Sequence, residues 1–164
     1  SLAYELLDRA YEKRYIRTAA AVDSDKERND LRNTFDYEIG AYLPNDLIRL
    51  NLQWFRNNSN ERYLDYYDYD SYKYGVSLTH LFDKKFSGYL SLSRQRRSYD
   101  HRTLVNNSGC RQHEDTYLLM SALYYSYSKS LTFGLSWTYR ENHSNEPVDR
   151  YSGSLVALST YYRF

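Results

Sequence analysis

Apolar and polar residues alternate along most of this chain with a period of two. Between Leu131 and Tyr139 every odd position is apolar or aromatic, and every even position is Thr, Gly or Ser. The segment Tyr151–Phe164 alternates in the same way over most of its length. Because successive side chains of a β-strand point to opposite faces, this pattern predicts strands with one apolar and one polar face.

The alternation predicts eight strands in the whole chain, and in the first of them the apolar residues change parity between Leu6 and Leu7. Such a change predicts a β-bulge at that point. The predicted strands are Leu2–Tyr15, Asp30–Leu43, Leu47–Asn57, Ser71–Phe82, Phe86–Arg97, Thr116–Tyr127, Leu131–Arg140 and Tyr151–Phe164.

The connections between these strands alternate in length. Tight turns are expected after Leu43, Phe82 and Tyr127, where Pro, Asn, Asp, Ser and Lys are concentrated. Short turns at one end and long loops at the other are typical of an all-β, antiparallel, up-and-down transmembrane β-barrel, and no domain boundary is needed within residues 1–164. The predicted long loops are Ile16–Asn29, Asn58–Asp70, Ser98–Asp115 and His143–Arg150.

Composition is compatible with strands that cross a membrane. The mean hydropathy is −0.83, and no stretch approaches the roughly 18 apolar residues that a spanning helix needs. Only alternate residues of a spanning strand face lipid, so a polar average does not exclude one. The 21 tyrosines favour aromatic belts at membrane interfaces, although a Tyr-rich soluble β-protein or ligand-binding barrel is the alternative. A net charge of +1 gives no field that would attract nucleic acid.

Assigning each strand an apolar and a polar face predicts two sets of site residues. The set expected to contact outer-membrane lipid is Leu50, Leu52, Trp54, Val76, Leu78, Leu90, Leu92, Leu119, Leu123, Phe133, Leu135, Trp137, Val156 and Leu158. The set expected to line the lumen, mixed in sign, is Arg32, Asp36, Glu38, Arg49, Lys73, Arg140 and Arg163. These charges either pair to fill a narrow barrel or line a wet channel in a wider one.

Several short motifs carry a family resemblance. The ending with Tyr162 and Phe164 resembles the assembly signal of bacterial outer-membrane β-barrels, although Ser159 stands where that signal usually has Gly. The segments Asp68–Tyr72, Tyr124–Tyr139, Arg140–Asn145 and Leu158–Phe164 resemble the C-terminal end of the β-barrel porin family associated with exopolysaccharide operons.

This resemblance implies a function and a location. It implies a pore or export conduit for polysaccharide or small solutes in the bacterial outer membrane, inserted by the outer-membrane insertion machinery. Members of the family are longer, so the resemblance implies that these strands are the C-terminal part of a barrel of about 16–18 strands. It supplies no catalytic residue and no cofactor. The alternative is a structural or adhesive barrel with a filled interior that acts through its extracellular loops.

Other candidate chemistry is weaker. His101, Cys110 and His113 match no zinc-binding spacing, so no metal site is predicted. The acidic, Tyr-rich segment Arg62–Ser71 suits either Ca²⁺ or sugar binding, or an extracellular rim against lipid head groups, which is the stronger interpretation. An enzyme is not expected, because Ser77 and His80 fall on opposite faces of one strand and no nucleophile–base pair is forced together.

Overall fold

The structure is a computed structural model that describes residues 1–17, 23–61 and 67–163 of the chain. Two sequence predictions fall outside these ranges. Phe164 of the predicted assembly signal lies outside them, and so do residues 62–66 of the acidic, Tyr-rich segment. Within the described ranges, no helix has the length and apolar character needed to cross a membrane.

The eight predicted strands are confirmed as one antiparallel sheet in which each strand pairs with its sequence neighbours. A single turn of 3-10 helix, Pro147–Asp149, precedes the last strand and was predicted as part of a loop. The strands are β1 (Leu2–Arg17), β2 (Asp23–Tyr42), β3 (Asp46–Ser59), β4 (Tyr69–Leu81), β5 (Phe86–Leu104), β6 (Asn107–Ser126), β7 (Leu131–Ser144) and β8 (Tyr151–Tyr162).

The sheet is open. In the described residues β1 pairs only with β2 and β8 only with β7, so each of the two outer strands has one edge without a partner strand. An unpaired edge presents a row of backbone donors and acceptors.

The three tight turns lie where the sequence predicts them, and we call this end of the sheet the turn end and the opposite one the loop end. The backbone N–H of Leu43 donates to the carbonyl of Asp46 at 2.9 Å. The carboxylate of Asp83 accepts the N–H groups of Lys85 and Phe86 at 2.6 and 2.8 Å. Asp and Ser side chains thus supply the local hydrogen bonds expected of turn residues.

The predicted long loops were wrong in extent, because strands continue through much of them. The segment Ser98–Asp115 was predicted as a loop, yet β5 runs to Leu104 and β6 starts at Asn107. β2 likewise begins at Asp23 instead of Asp30. Ladder hydrogen bonds join backbone groups and do not require an apolar face, so the pairing continues where both faces are polar.

The predicted bulge between Leu6 and Leu7 was wrong in position. Pairing of β1 with β2 is continuous from Leu2 to Tyr11, and the first register shift lies between Tyr11 and Tyr15. Leu7 consequently keeps the strand parity and lies opposite Arg32. A residue with a long aliphatic stem can pack beside an apolar side chain, so Leu7 does not force the chain to change faces.

The distribution of burial is the reverse of that in a soluble sandwich. Most large apolar side chains are exposed, up to 84% for Leu158, whereas Ser71 is fully buried. When a sheet curls toward one face, the side chains on that inner face pack together and become buried, whereas those on the outer face move apart and become exposed. The buried polar residues are Arg28, Asp30, Thr34, Asn57, Glu61, Ser71, Gln112, Glu114, Asn142, Ser144 and Glu146.

Candidate functional site: the polar and apolar faces of the sheet

The strand register divides the side chains into an apolar face and a polar face. All of the residues predicted to contact lipid lie on the apolar face; for example, Leu50, Val76 and Leu92 occupy one row across three neighbouring strands. Within the strands, the residues predicted to line a lumen lie on the polar face. They are Arg32, Asp36, Glu38, Arg49, Lys73 and Arg140. Arg163 follows β8, and its N–H donates to the carbonyl of Ser130 at 2.8 Å.

Aliphatic residues form most of the centre of the apolar face, where Trp137 shares a register row with Leu78 and Leu90, and further aromatic residues flank this centre on both sides. Tyr72 and Phe82 flank the aliphatic part of β4 about 33 Å apart, at about 3.3 Å per residue. With a tilt of about 40°, that separation corresponds to a band about 25 Å tall. The aromatic residues toward the loop end are Phe35, Trp54, Tyr72, Tyr74 and Tyr117, and those toward the turn end are Phe82, Phe86, Tyr125, Phe133 and Tyr162.

Among the aromatic residues at the loop end and beyond them, the same face becomes charged, since Arg94 shares a register row with Tyr74 and Tyr117. The guanidinium of Arg56 contacts Asp70 (Nη1 to Oδ2, 2.6 Å) and also Asp100. Arg94 pairs with Asp115 (Nη2 to Oδ1, 2.8 Å). The apolar stretch is therefore bounded at this end by ion pairs instead of continuing along the strands.

On the polar face, the loop end carries a hydrogen-bonded cluster that we call the polar network. One part joins β2 to β3, where Arg28 Nε donates to Asp30 Oδ1 at 2.8 Å and Asn57 Nδ2 donates to Asp30 Oδ2 at 3.3 Å. Burial alone would raise the pKa of Asp30, but the hydrogen bonds, led by that from Arg28, and the charge of Arg28 hold the pKa below its usual value. The network comprises Arg28, Asp30, Arg32, Asn57, Tyr69, Arg97, Tyr99, Gln112 and Glu114.

The second part of the network centres on Glu114. Its carboxylate accepts hydrogen bonds from Tyr99 Oη at 3.3 Å and Gln112 Nε2 at 3.0 Å, and it pairs with Arg97 at 3.2 Å. Burial raises the pKa of the Tyr99 hydroxyl, because it disfavours the phenolate more than the charge of Arg97 favours it. Gln112 Nε2 also donates to Asp149 Oδ2 at 2.6 Å, and this hydrogen bond joins the 3-10 turn Pro147–Asp149 to β6.

Aromatic rings hold the arginines of the network in place. Arg32 lies 4.8 Å from the ring centroid of Phe55 and donates to Tyr69 Oη at 3.0 Å. Arg97 lies 4.9 Å from the Tyr69 ring. The Nε atoms of Arg32 and Arg97 are buried and have no hydrogen-bond partner among the described residues, so the rings supply part of their stabilisation.

Toward the turn end, the polar face changes from a connected network to small hydroxyl side chains with isolated charges. Lys73 lies in a register row between Gln53 and Gln95. Within the described ranges the structure gives neither Lys73 nor Arg49 a hydrogen bond or ion pair through its side chain. The hydroxyl residues of this region are Ser77, Thr79, Ser87, Ser91, Ser93, Ser136 and Thr138.

Sequence reasoning missed an apolar strip on the polar face. Leu118 and Met120 of β6 and Leu155 of β8 lie there, and the register places Thr138 between Met120 and Leu155. The sequence signal is the uninterrupted apolar run around Leu119, which is apolar at both parities. Reasoning from alternation alone also missed the buried Gln112 and Glu114, which lie in a segment predicted to be a loop.

The remaining candidates do not assemble into a reactive site. His80 Nδ1 lies 2.7 Å from Asp46 Oδ1 on the apolar face, whereas Ser77 lies on the polar face. Cys110 is exposed with a free thiol. Across residues 1–17, 23–61 and 67–163, no group of three or more His, Cys, Asp or Glu side chains is placed to hold a metal ion.

The rim predicted over Arg62–Ser71 is described only from residue 67 onward. There Tyr67 stacks under Arg28, with 3.2 Å from the guanidinium carbon to the ring centroid, and Asp68 accepts the N–H of Ser59 at 2.6 Å. These two residues support the polar network.

Comparison of the chain with protein-family models, with curated proteins and with solved structures finds no match.

Proposed function

We propose that this chain is part of a β-barrel of the bacterial outer membrane that forms a pore or export conduit for polysaccharide or small solutes. The observation that carries the proposal is the inverted distribution of side chains, with exposed Leu, Val and aromatic residues on one face and buried Arg, Asp and Glu on the other. In water, so large an exposed apolar surface would drive association. In a bilayer the same surface is solvated by lipid.

The two open edges support closure into a larger barrel. An edge strand within lipid leaves backbone groups unsatisfied, each at a cost of several kcal/mol. β1 and β8 make no contact with each other, and in this proposal further strands pair with both edges. A barrel widened in this way, to about 16–18 strands, has room for water inside.

The polar face supports a wet interior. Lys73 is half-buried and Arg49 is exposed, and neither has a charge partner among the described residues of this face; enclosed in a barrel, such charges would be costly unless water reached them. The register row of Arg49 continues with the small hydroxyl residues Ser77 and Ser91, which leave space for solvent. In this proposal the polar network at the loop end narrows the entrance, and the turn end is the wider part.

A structural or adhesive barrel with a filled interior is the second candidate, and the polar network favours it. If the network continued around the barrel, ion pairs such as Arg97–Glu114 would close the lumen at the loop end. Such a protein would insert into membranes without conducting and would act through its loops.

Ion conductance in planar lipid bilayers distinguishes these two functions. We expect stepwise conductance from the inserted protein, and we expect Lys73→Glu to shift its selectivity toward cations because the charge lies on the polar face. Lys84→Glu, in the turn between β4 and β5, is the matched control and should leave selectivity unchanged. Membrane-embedded protein that conducts no ions would contradict the pore and favour the filled barrel.

A further inference from the structure

A groove crosses the apolar face near the aromatic residues of the loop end. Its volume is about 350 Å³, and its walls are almost entirely apolar. Val76 lies between Leu50 and Leu92 in one register row, and its shorter side chain leaves the depression. The groove is lined by Leu50, Tyr74, Val76, Leu92, Arg94 and Tyr117, together with Gly75 and Ser93.

The positively charged side chain of Arg94 lies at the loop end of this groove. Arg94 Nε donates to Asp115 Oδ1 at 2.9 Å, and its Nη1 donates to Tyr74 Oη at 3.0 Å. The guanidinium also lies 5.4 Å from the Tyr117 ring centroid. These contacts hold the charge at the edge of the groove and leave some of its N–H groups available.

A second guanidinium lies one step further along the same face. Arg96 follows Arg94 on β5 with the same parity and is exposed. It lies opposite Tyr72 and Asp115 in the register, yet among the described residues it has no hydrogen bond or ion pair. Asp115 pairs with Arg94, and Glu141, the next carboxylate along the row of Arg94, pairs with His143. The guanidinium of Arg96 is therefore left without a carboxylate partner in the described part of the chain at this end of the groove.

An apolar groove that ends in guanidinium groups suits an amphiphile with an anionic head group. The forked N–H groups of arginine match the oxygens of a phosphate. We propose that the groove binds one acyl chain of an anionic phospholipid, with the phosphate on Arg94 and Arg96. This inference rests on the proposed function, because it requires the apolar face to lie in a membrane.

A second groove on the same face provides an internal comparison. It has a volume of about 360 Å³ and is lined by Leu78, Leu90, Leu123, Leu135 and Trp137 among others, with neither Arg nor Lys in its lining. Its lining also includes His80, whose Nδ1 lies 2.7 Å from Asp46 Oδ1. An acyl chain can lie in either groove, but only the first offers guanidinium groups to a phosphate. Preference for an anionic head group should therefore depend on the first groove alone.

The test is native mass spectrometry of the whole protein from bilayers that mix phosphatidylglycerol with phosphatidylcholine. We expect wild type to retain phosphatidylglycerol preferentially, and the double variant Arg94→Gln/Arg96→Gln to lose roughly ten-fold in that preference, equivalent to about 1.4 kcal/mol. Val76→Trp, which fills the groove, should lower retention of phosphatidylglycerol with both arginines present. Ser121→Leu, in the second groove, and Arg111→Gln, an exposed cation elsewhere on β6, are the controls.

Two outcomes would overturn the inference. Equal retention of both lipids by wild type and the double variant, in protein that is embedded and conducts ions, would refute the lipid site and leave the pore intact. Protein that alkaline washing releases from membranes would refute the membrane assignment, and with it both proposals.

Discussion

Arg97 and Glu114 form an ion pair between β5 and β6 on the polar face, with 3.2 Å between Nη1 and Oε2. The same carboxylate accepts hydrogen bonds from Tyr99 and Gln112. A single acidic side chain therefore connects three other side chains of the polar network. Because Arg97 contacts the Tyr69 ring as well, Glu114 also connects indirectly to β4.

Replacing Glu114 by Gln should destabilise the protein by about 1–3 kcal/mol, because it leaves Arg97 without a charge partner in a poorly solvated place. The measurement is urea unfolding in detergent followed by tryptophan fluorescence. Glu38→Gln is the matched control on the same face, and it should change the free energy of unfolding by no more than about 0.5 kcal/mol. Equal effects of the two substitutions would show that the network contributes little to stability.

Replacing Leu135 by Lys should cost roughly 2–4 kcal/mol if this residue faces the bilayer midplane. Leu135 lies between Leu123 and Leu158 on the apolar face. Refolding into lipid vesicles in a urea titration measures the cost. Ser136→Lys is the neighbouring control on the polar face, where Ala122 and Ala157 leave room for a longer side chain. A neutral Leu135→Lys would remove the membrane assignment for β7.

Replacing Gly134 by Ala should destabilise the β7–β8 pairing by about 1–3 kcal/mol through overpacking. A Cβ at this position would lie 2.6 Å from Ser159 Oγ and 3.1 Å from the Tyr124 ring. The additional change Ser159→Gly should restore part of the loss in thermal unfolding. Gly153→Ala is the control, since no heavy atom lies within 4 Å of its added Cβ. A Gly134→Ala variant as stable as wild type would contradict this packing.

Stability should depend on pH through the turn that follows β4. Hydrogen bonds from the backbone N–H groups of Lys85 and Phe86 lower the pKa of Asp83 below its ordinary 3.8. The stabilisation is fully present above pH 3.8 and is lost as the pH falls through the lowered folded-state pKa. Asp83→Asn should therefore lower the melting temperature at neutral pH and lose that difference in acid. Asp8→Asn, on exposed β1, is the control, and equal pH profiles for wild type and Asp83→Asn would refute the effect.

Alternation of residue types was sufficient to predict that the eight strands exist and most of their faces, and the alternating lengths of the connections predicted the strand order. The assignment of Leu50, Val76 and Leu92 to one face needed only their parity, because a strand reverses its side chains at every residue. The turns were predictable as well, because their hydrogen bonds join residues close in the chain: Asp83 accepts from backbone groups within three positions of itself. The extent of the strands was not predictable, because pairing beyond the apolar part of the sheet depends on the neighbouring strand.

The polar network is the part of the candidate site that the sequence could not predict. Gln112 and Glu114 lie in a polar segment without periodicity, and they become buried only because β5 continues alongside β6. Arg32 reaches Tyr69 across β3, a contact between residues far apart in the chain. Contacts of this kind depend on register, which no single segment encodes.

The sequence by itself determined which side chains share a face, because that property follows from the two-residue period of an extended backbone. The tertiary structure decided which charges are paired and which are isolated. Lys73 and Arg97 look alike in the alternation, yet Arg97 meets Glu114 whereas Lys73 lies between two glutamines. The reason is physical: pairing requires a partner within about 4 Å, and that distance is set by neighbouring strands and their register.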